Sequence, residues 1–183
     1  DGSTDGTAAV ARACGPAVTV VSQPNRGPGT ATSVGAAMVT TPFIAFNDAD
    51  DVWLPGKMEK QFARLADDGL DLAFAHVCLM YDGQPPDHSR TQENWTRTTM
   101  LVRTEAYHRV GPVIDMPAMH GDMIDWVARA RDLGVPMTLM PEVLCIRRIR
   151  EGSLTYRRGG EHGYLSAVKA ALDRRRAKNS GGA

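Results

Sequence analysis

Phe43-Ile-Ala-Phe-Asn-Asp-Ala-Asp-Asp-Val-Trp53 runs from an apolar stretch straight into three carboxylates, Asp48, Asp50 and Asp51. The apolar half reads as a strand, and the carboxyl edge of an open α/β sheet is where such folds place their ligands. Asp48 and Asp50, two residues apart, offer hard oxygen donors to a divalent cation and leave coordination positions open for a diphosphate. The same carboxylates also suit a turn or the start of a helix at Pro55, a reading that needs no ligand. A calcium loop is excluded. With Asp48, Asp50 and Glu59 in its first, third and last positions, Val52 and Trp53 would stand where a ligand and a glycine are required.

Upstream, Asp1-Gly-Ser-Thr-Asp-Gly-Thr7 is a capping turn that predicts a short helix through Ala13. Ala17 to Ser22 is β-branched and reads as a strand, Pro24 to Gly29 as a loop, and Thr30 to Val39 as a helix. Downstream of Pro55, Met58, Phe62 and Leu65 recur at helical spacing, with Gly69 just past the end. Leu72 to Met80 is a nearly continuous apolar strand of the kind buried at a sheet's centre. Asp82 to Gln92 reads as a mobile loop near the site, Thr98 to Arg103 as a strand, Thr104 to Val110 as a helix and Asp122 to Leu133 as an amphipathic helix. Pro136 to Met140 and Val143 to Ile149 read as two short strands, and Gly159 to Arg176 as a basic helix. Alternation of this kind predicts an α/β fold with a mostly parallel sheet and crossover helices.

The 183 residues suffice for one domain, expected over 1–176 with a disordered tail at 177–183. The first residue, Asp1, belongs to a turn, so the chain reads as entering mid-fold, with the first strand and helix missing from its N-terminus. Twenty-one basic residues balance 21 acidic ones, so no global field favours nucleic acid and recognition must be local. Cys14, Cys78 and Cys145 are odd in number and far apart, which fits reduced thiols in the cytoplasm better than a disulfide framework or a zinc site. His76, His88, His108, His120 and His162 lack metal-ligand spacing. No apolar run is long enough to span a bilayer. The basic end at Arg174-Arg-Arg176 is either a solvated helix face or a peripheral contact with anionic lipid at the inner face of the membrane.

Taken in order, these motifs resemble the family 2 glycosyltransferases of the GT-A fold, over nearly the whole chain. Asp1-Gly-Ser-Thr-Asp-Gly-Thr7 looks like that family's Asp-Asp-Gly-Ser-x-Asp-x-Thr turn without its first Asp, which implies that Asp1 contacts the nucleotide base. Pro24-Asn-Arg-Gly-Pro-Gly29 is similar to its Asn-x-Gly loop, although Ala31-Thr32-Ser33 replaces the usual Ala-Arg-Asn. Asp48-Ala-Asp50-Asp51-Val-Trp53-Leu-Pro55 is similar to the Asp-x-Asp-Asp-x-Trp-x-Pro signature, which implies Asp48 at the ribose and Asp50 on a Mn or Mg ion, with Asp48 as the second metal candidate.

The acceptor-side helix of the family opens with Glu-Asp, and here those positions are Asp122 and Met123, a departure at the usual base. Asp122 is therefore the candidate base, with Asp125 one turn further on the second; a helix N-terminal charge is the alternative role for Asp122. Trp126 reads as core and Trp53 as pocket wall or packing. Arg147-Arg148-Ile-Arg150-Glu-Gly-Ser153-Leu-Thr155 is similar to the Arg-x-His-x-x-Asn/Ser segment, with Arg150 in the His position, able to pair with phosphate but not to ligate a cation.

The resemblance implies inverting, metal-dependent transfer of a sugar from a nucleotide-sugar donor, a UDP-sugar, to a hydroxyl of a glycan, lipid-linked or other acceptor, as in cell-envelope polysaccharide synthesis. The alternatives are a non-catalytic GT-A-like binding module and a retaining enzyme.

Overall fold

The computed structural model describes residues 1–116, 121–150, 168–169, 172–174 and 176–177. Among the described residues up to 150 the elements run, in chain order, α1 (Thr7–Ala13), α2 (Pro28–Ala37), β1 (Phe43–Ala45), β2 (Val52–Trp53), α3 (Lys57–Asp67), β3 (Leu72–Tyr81), β4 (Asp87–Asn94), a 3-10 turn (Arg97–Thr99), β5 (Leu101–Arg103), α4 (Thr104–Val110), α5 (Asp122–Asp132) and β6 (Met137–Ile149). They build one mixed sheet in the order β1-β5-β3-β6-β2, with β4 also paired to β3.

The fold class is α/β, but the sheet is mostly antiparallel rather than mostly parallel. Among the described residues only β3 and β6 run parallel; β1–β5, β3–β5, β3–β4 and β2–β6 are antiparallel. Helix-strand alternation implies crossovers only if each helix lies between neighbouring strands, and here β4 folds back on β3 as a hairpin while β5 returns beside it. Among the described residues the expected parallel arrangement therefore holds at the β3–β6 pair alone.

Side chains alternate across β3 as the strand period requires. Leu72 and Phe74 face α4 and α5, packing with Tyr107, Met123, Trp126 and Val127. Ala73 and Ala75 face α3, packing with Leu65, Leu101, Met140 and Leu144. Helices thus cover both faces. In α3, Lys57, Gln61 and Leu65 recur every four residues on the buried side, and the Gln61 amide donates to the carbonyls of Ala73 at 3.2 Å and Thr99 at 2.8 Å.

Four expectations differ in detail. Ala17–Ser22 forms no strand, because the segment has no ladder partner among the described residues and Val18 and Val21 stay exposed. Half of the expected 82–92 loop is β4, a strand exposed along both faces, whose polar sequence gives no alternation to read; its stability comes from the backbone ladder to β3. The strand expected from Thr98 begins only at Leu101, after the 3-10 turn. The two strands expected at 136–149 are one, β6, which absorbs Pro141 and Glu142 in a register shift between the Ala75↔Met140 and His76↔Val143 pairs. The described residues between 168 and 177, Ala177 included, are helical. Met119, His120, Ser153, Thr155, His162 and residues 178–183 lie outside the described residues.

Candidate functional site

The carboxylate loop leaves β1 and is pinned by β2, whose Val52 and Trp53 pair with Ile146 and Cys145 of β6. That pairing brings Asp48–Asp51 beside the end of β6, where Arg148 and Arg150 lie. Asp51 is the structural member of the trio. Its Oδ2 accepts from Thr98 Oγ1 at 2.7 Å and its Oδ1 from the Arg148 N–H at 3.1 Å, while Thr98 Oγ1 accepts from the Asp48 N–H at 3.2 Å. Burial pushes the Asp51 carboxyl above the usual carboxylate range, against the pull of the Thr98 and Arg148 hydrogen bonds, and Asp48 and Asp50 nearby add to the rise.

Asp48 and Asp50 remain reachable. Asp50 Oδ2 sits 3.5 Å from Arg150 Nη2 and Asp48 Oδ1 sits 3.5 Å from Arg97 Nε, with the Asp50 and Asp48 side chains 29% and 39% exposed. The structure thus brings Asp50 and Arg150 together. No cluster of three His, Cys, Asp or Glu suited to a metal occurs among the described residues. Two partly exposed carboxylates fit Mg or Mn, which keep several waters and complete their shell with substrate phosphates, better than a metal needing an all-protein cage.

Across from the carboxylate loop's Arg97 contact, α5 starts after Gly121, whose φ of 85° turns the chain into the helix and sets Asp122 in its first turn. Asp122 Oδ2 lies 2.5 Å from Arg97 Nη1 and its Oδ1 accepts from the Met123 N–H at 2.8 Å. Asp125 has a different environment. Its side chain is 3% exposed and lies between Arg129 Nε at 2.9 Å and Arg174 Nη1 at 2.6 Å. Arg129 in turn donates to the carbonyls of Val110 and Pro112, so this carboxylate locks α5 to the end of α4. The basic end is therefore not a uniform solvated face: Arg174 reaches Asp125. Trp126 is fully buried and stacks on Tyr107, as expected of core.

At the N-terminal turn, the Asp1 carboxylate accepts from Gln23 Nε2 and from the N–H groups of Arg26 and Gly27 at 2.8–3.1 Å. It fixes the 23–27 loop. The start of α2 just beyond is held by Asp115, which accepts from the Gly29 and Thr30 N–H groups and the Thr30 hydroxyl, each at 2.7 Å. A Cβ on Gly27 would lie 2.7 Å from that carboxylate, and the backbone there has φ 99°. Only glycine suits both conditions.

Beneath the carboxylate loop, Trp53 serves as packing. Its Nε1 donates to the Thr98 carbonyl at 3.0 Å and its ring carries Lys57 Nζ at 4.3 Å. Lys57 is 1% exposed and donates to Gln61 Oε1 at 2.7 Å. Burial lowers its ammonium to about 8 and raises the adjacent Cys145 thiol to about 12.

Arg97 and Asp115 organise this site, and neither shows a local sequence signal. Arg97 is a single charge at the head of Thr98-Thr-Met-Leu-Val102, and Asp115 meets α2 across more than 80 residues. Arg97 joins Asp48 of the carboxylate loop to Asp122 of α5. Burial works against its charge, but the two carboxylates outweigh it and hold the guanidinium firmly protonated.

The family model described as Glycosyl transferase family 2 matches residues 1–123, taking in the capping turn, the carboxylate loop and Asp122. The chain belongs to glycosyltransferase family 2. Among curated proteins nothing matches it. Among solved structures this family 2 glycosyltransferase is similar to S. aureus TarS. The crystal structure of TarS 1–349 in complex with UDP-GlcNAc superimposes with a TM-score of 0.69 at 14% identity, covering 92% of this chain and 54% of that one. The complex of the same segment with UDP gives 0.53 at 14% identity, covering 67% and 40%. The chain therefore spans about half the length of the TarS segment it matches. At that identity the likeness concerns the fold, and it agrees with the mixed α/β sheet described above. No helix among the described residues is long and apolar enough to cross a membrane.

Proposed function

We propose that this glycosyltransferase carries out inverting transfer of a sugar from a UDP-sugar to an acceptor hydroxyl. The observation that carries the proposal is the Arg97 bridge, 3.5 Å to Asp48 and 2.5 Å to Asp122, which brings the carboxylates read as donor-side and acceptor-side within reach of one guanidinium. The UDP part rests on the neighbour's complex with UDP-GlcNAc.

Asp50, with Asp48 as the second ligand, would hold Mn or Mg, which when bound neutralises charge on the leaving diphosphate. Arg150 beside Asp50 adds a cation suited to phosphate oxygens. Asp1 orders the 23–27 loop at the side assigned to the nucleotide base. Asp122 takes the acceptor proton, and its position at the start of α5 leaves the side chain 16% exposed. Asp125 does not share that role, because it is 3% exposed and paired on both oxygens. Met123, where the family's usual base stands, is 5% exposed and lies in the core. The acceptor is a hydroxyl of a glycan, a lipid-linked sugar or another compound, and the chain acts in the cytoplasm or at the inner membrane face.

Calorimetry with UDP and MnCl2, paired with UDP release from UDP-GlcNAc, tests the reading. Binding with release, slowed about 10²-fold or more in Asp122→Asn, is the expected result. Binding without release would make the chain a nucleotide-sugar binding module, and unchanged release in Asp122→Asn would sink the base assignment.

A further inference from the structure

We infer that Arg97 is a positioning residue for transfer, aligning the Asp122 carboxylate with the donor side of the site; the inference rests on the transfer reading above. A guanidinium offers two donor edges in one plane, and both are used here: Nη1 meets Asp122 Oδ2 at 2.5 Å and Nε meets Asp48 Oδ1 at 3.5 Å. The Arg97 side chain is 12% exposed, so these contacts form away from bulk water, where charge pairs are less screened.

The base of the bridge is rigid. The 3-10 turn that bears Arg97 closes through the Met100 N–H to the Arg97 carbonyl at 2.9 Å. The Thr98 carbonyl in the same turn accepts from Trp53 Nε1 at 3.0 Å and from Cys145 Sγ at 3.3 Å, and the Thr98 hydroxyl donates to Asp51 at 2.7 Å. Asp122 has its other oxygen on the Met123 N–H, so Arg97 supplies the second point that fixes the carboxylate plane. Without Arg97, Asp122 keeps one anchor, and two carboxylates face each other with no intervening cation. Misplacing a reacting group by about 1 Å costs on the order of 10²-fold in rate.

The test uses Arg97→Gln, Arg97→Lys, Asp122→Asn and the Arg97→Gln/Asp122→Asn double variant. UDP release from UDP-GlcNAc is followed with water as acceptor, UDP affinity by calorimetry in MnCl2, and folding by thermal melting. Arg97→Gln is expected to lose about 10²-fold in kcat with KM and UDP affinity within about threefold of wild type. Arg97→Lys, which keeps a charge without the two-edged fork, recovers about tenfold of that loss. The double variant is no slower than Asp122→Asn alone, because a residue acting through Asp122 has nothing left to align. Should Arg97→Gln fail to fold, the Arg97→Lys rate and affinity decide alone, with full wild-type turnover overturning the inference. Multiplicative loss in the double variant, or loss confined to UDP affinity, also overturns it. Absence of UDP binding in wild type removes the transfer reading and this inference together, whereas wild-type turnover with an unaffected Arg97→Gln removes only this one.

Discussion

A carboxylate 3% exposed and clamped between two guanidinium groups is out of reach of a substrate hydroxyl, and this separates Asp125 from Asp122 three residues earlier. Removing a buried partner leaves an uncompensated charge, so Asp125→Ala is expected to cost about 3–5 kcal/mol of stability, read from urea unfolding. Asp51 is a second structural carboxylate within a motif that looks uniformly catalytic. Asp51→Ala leaves Thr98 Oγ1 and the Arg148 N–H without their acceptor and is expected to destabilise by about 1–3 kcal/mol in the same measurement. The sequence shows the carboxylates but not their partners. Asp48 and Asp50 stand out because an apolar strand empties into them, and Asp122 because the start of its helix resembles the family motif. The arginines and the threonine that divide labour among them come from elements far away in the chain.

At the scale of elements, α3 carries a cation into the core. Lys57, lowered to about 8 by burial, binds fewer protons in the folded chain than in the unfolded one, where an ordinary lysine titrates near 10.4. Folding stability therefore rises with pH from about 8 toward about 10.4 on this account. Cys145 opposes it above about 9, since its thiol stays protonated to about 12 when folded but not when unfolded. The expected outcome is a urea midpoint that climbs between about pH 7.5 and 9 in wild type and stays flat in Lys57→Met. The amphipathic period of α3 was readable from Met58, Phe62 and Leu65, yet Leu65 alone of these is fully buried; the inward face is Lys57, Gln61 and Leu65. Polar residues hid that face. Gln61 is there because the Ala73 carbonyl of β3 and the Thr99 carbonyl of the 3-10 turn need a donor, a requirement set by those elements rather than by α3 itself. Likewise β4 is held by its ladder and not by an apolar face, so it reads as loop.

For the whole molecule, any ligand that binds only the folded chain raises its stability, by about 2.7 kcal/mol at a hundredfold excess over Kd. UDP with MnCl2 is expected to raise the Tm, and Asp50→Asn to abolish the Mn-dependent part while leaving a UDP-only increment; equal Mn-dependent shifts in both proteins would remove Asp50 from the metal site. The α/β class followed from the alternating segments, whereas strand direction did not, because nothing local distinguishes a crossover from a return beside the same neighbour. The register of β3 against β6, Leu72 with Met137 through Tyr81 with Ile149, also governs when the chain can fold. Contacts between such distant residues carry a loop-closure cost before any gain, which slows folding to the millisecond range or beyond. During synthesis β3 leaves the ribosome well before its parallel neighbour exists, and one side of the sheet's central strand waits, apolar and unpaired, for β6 to emerge.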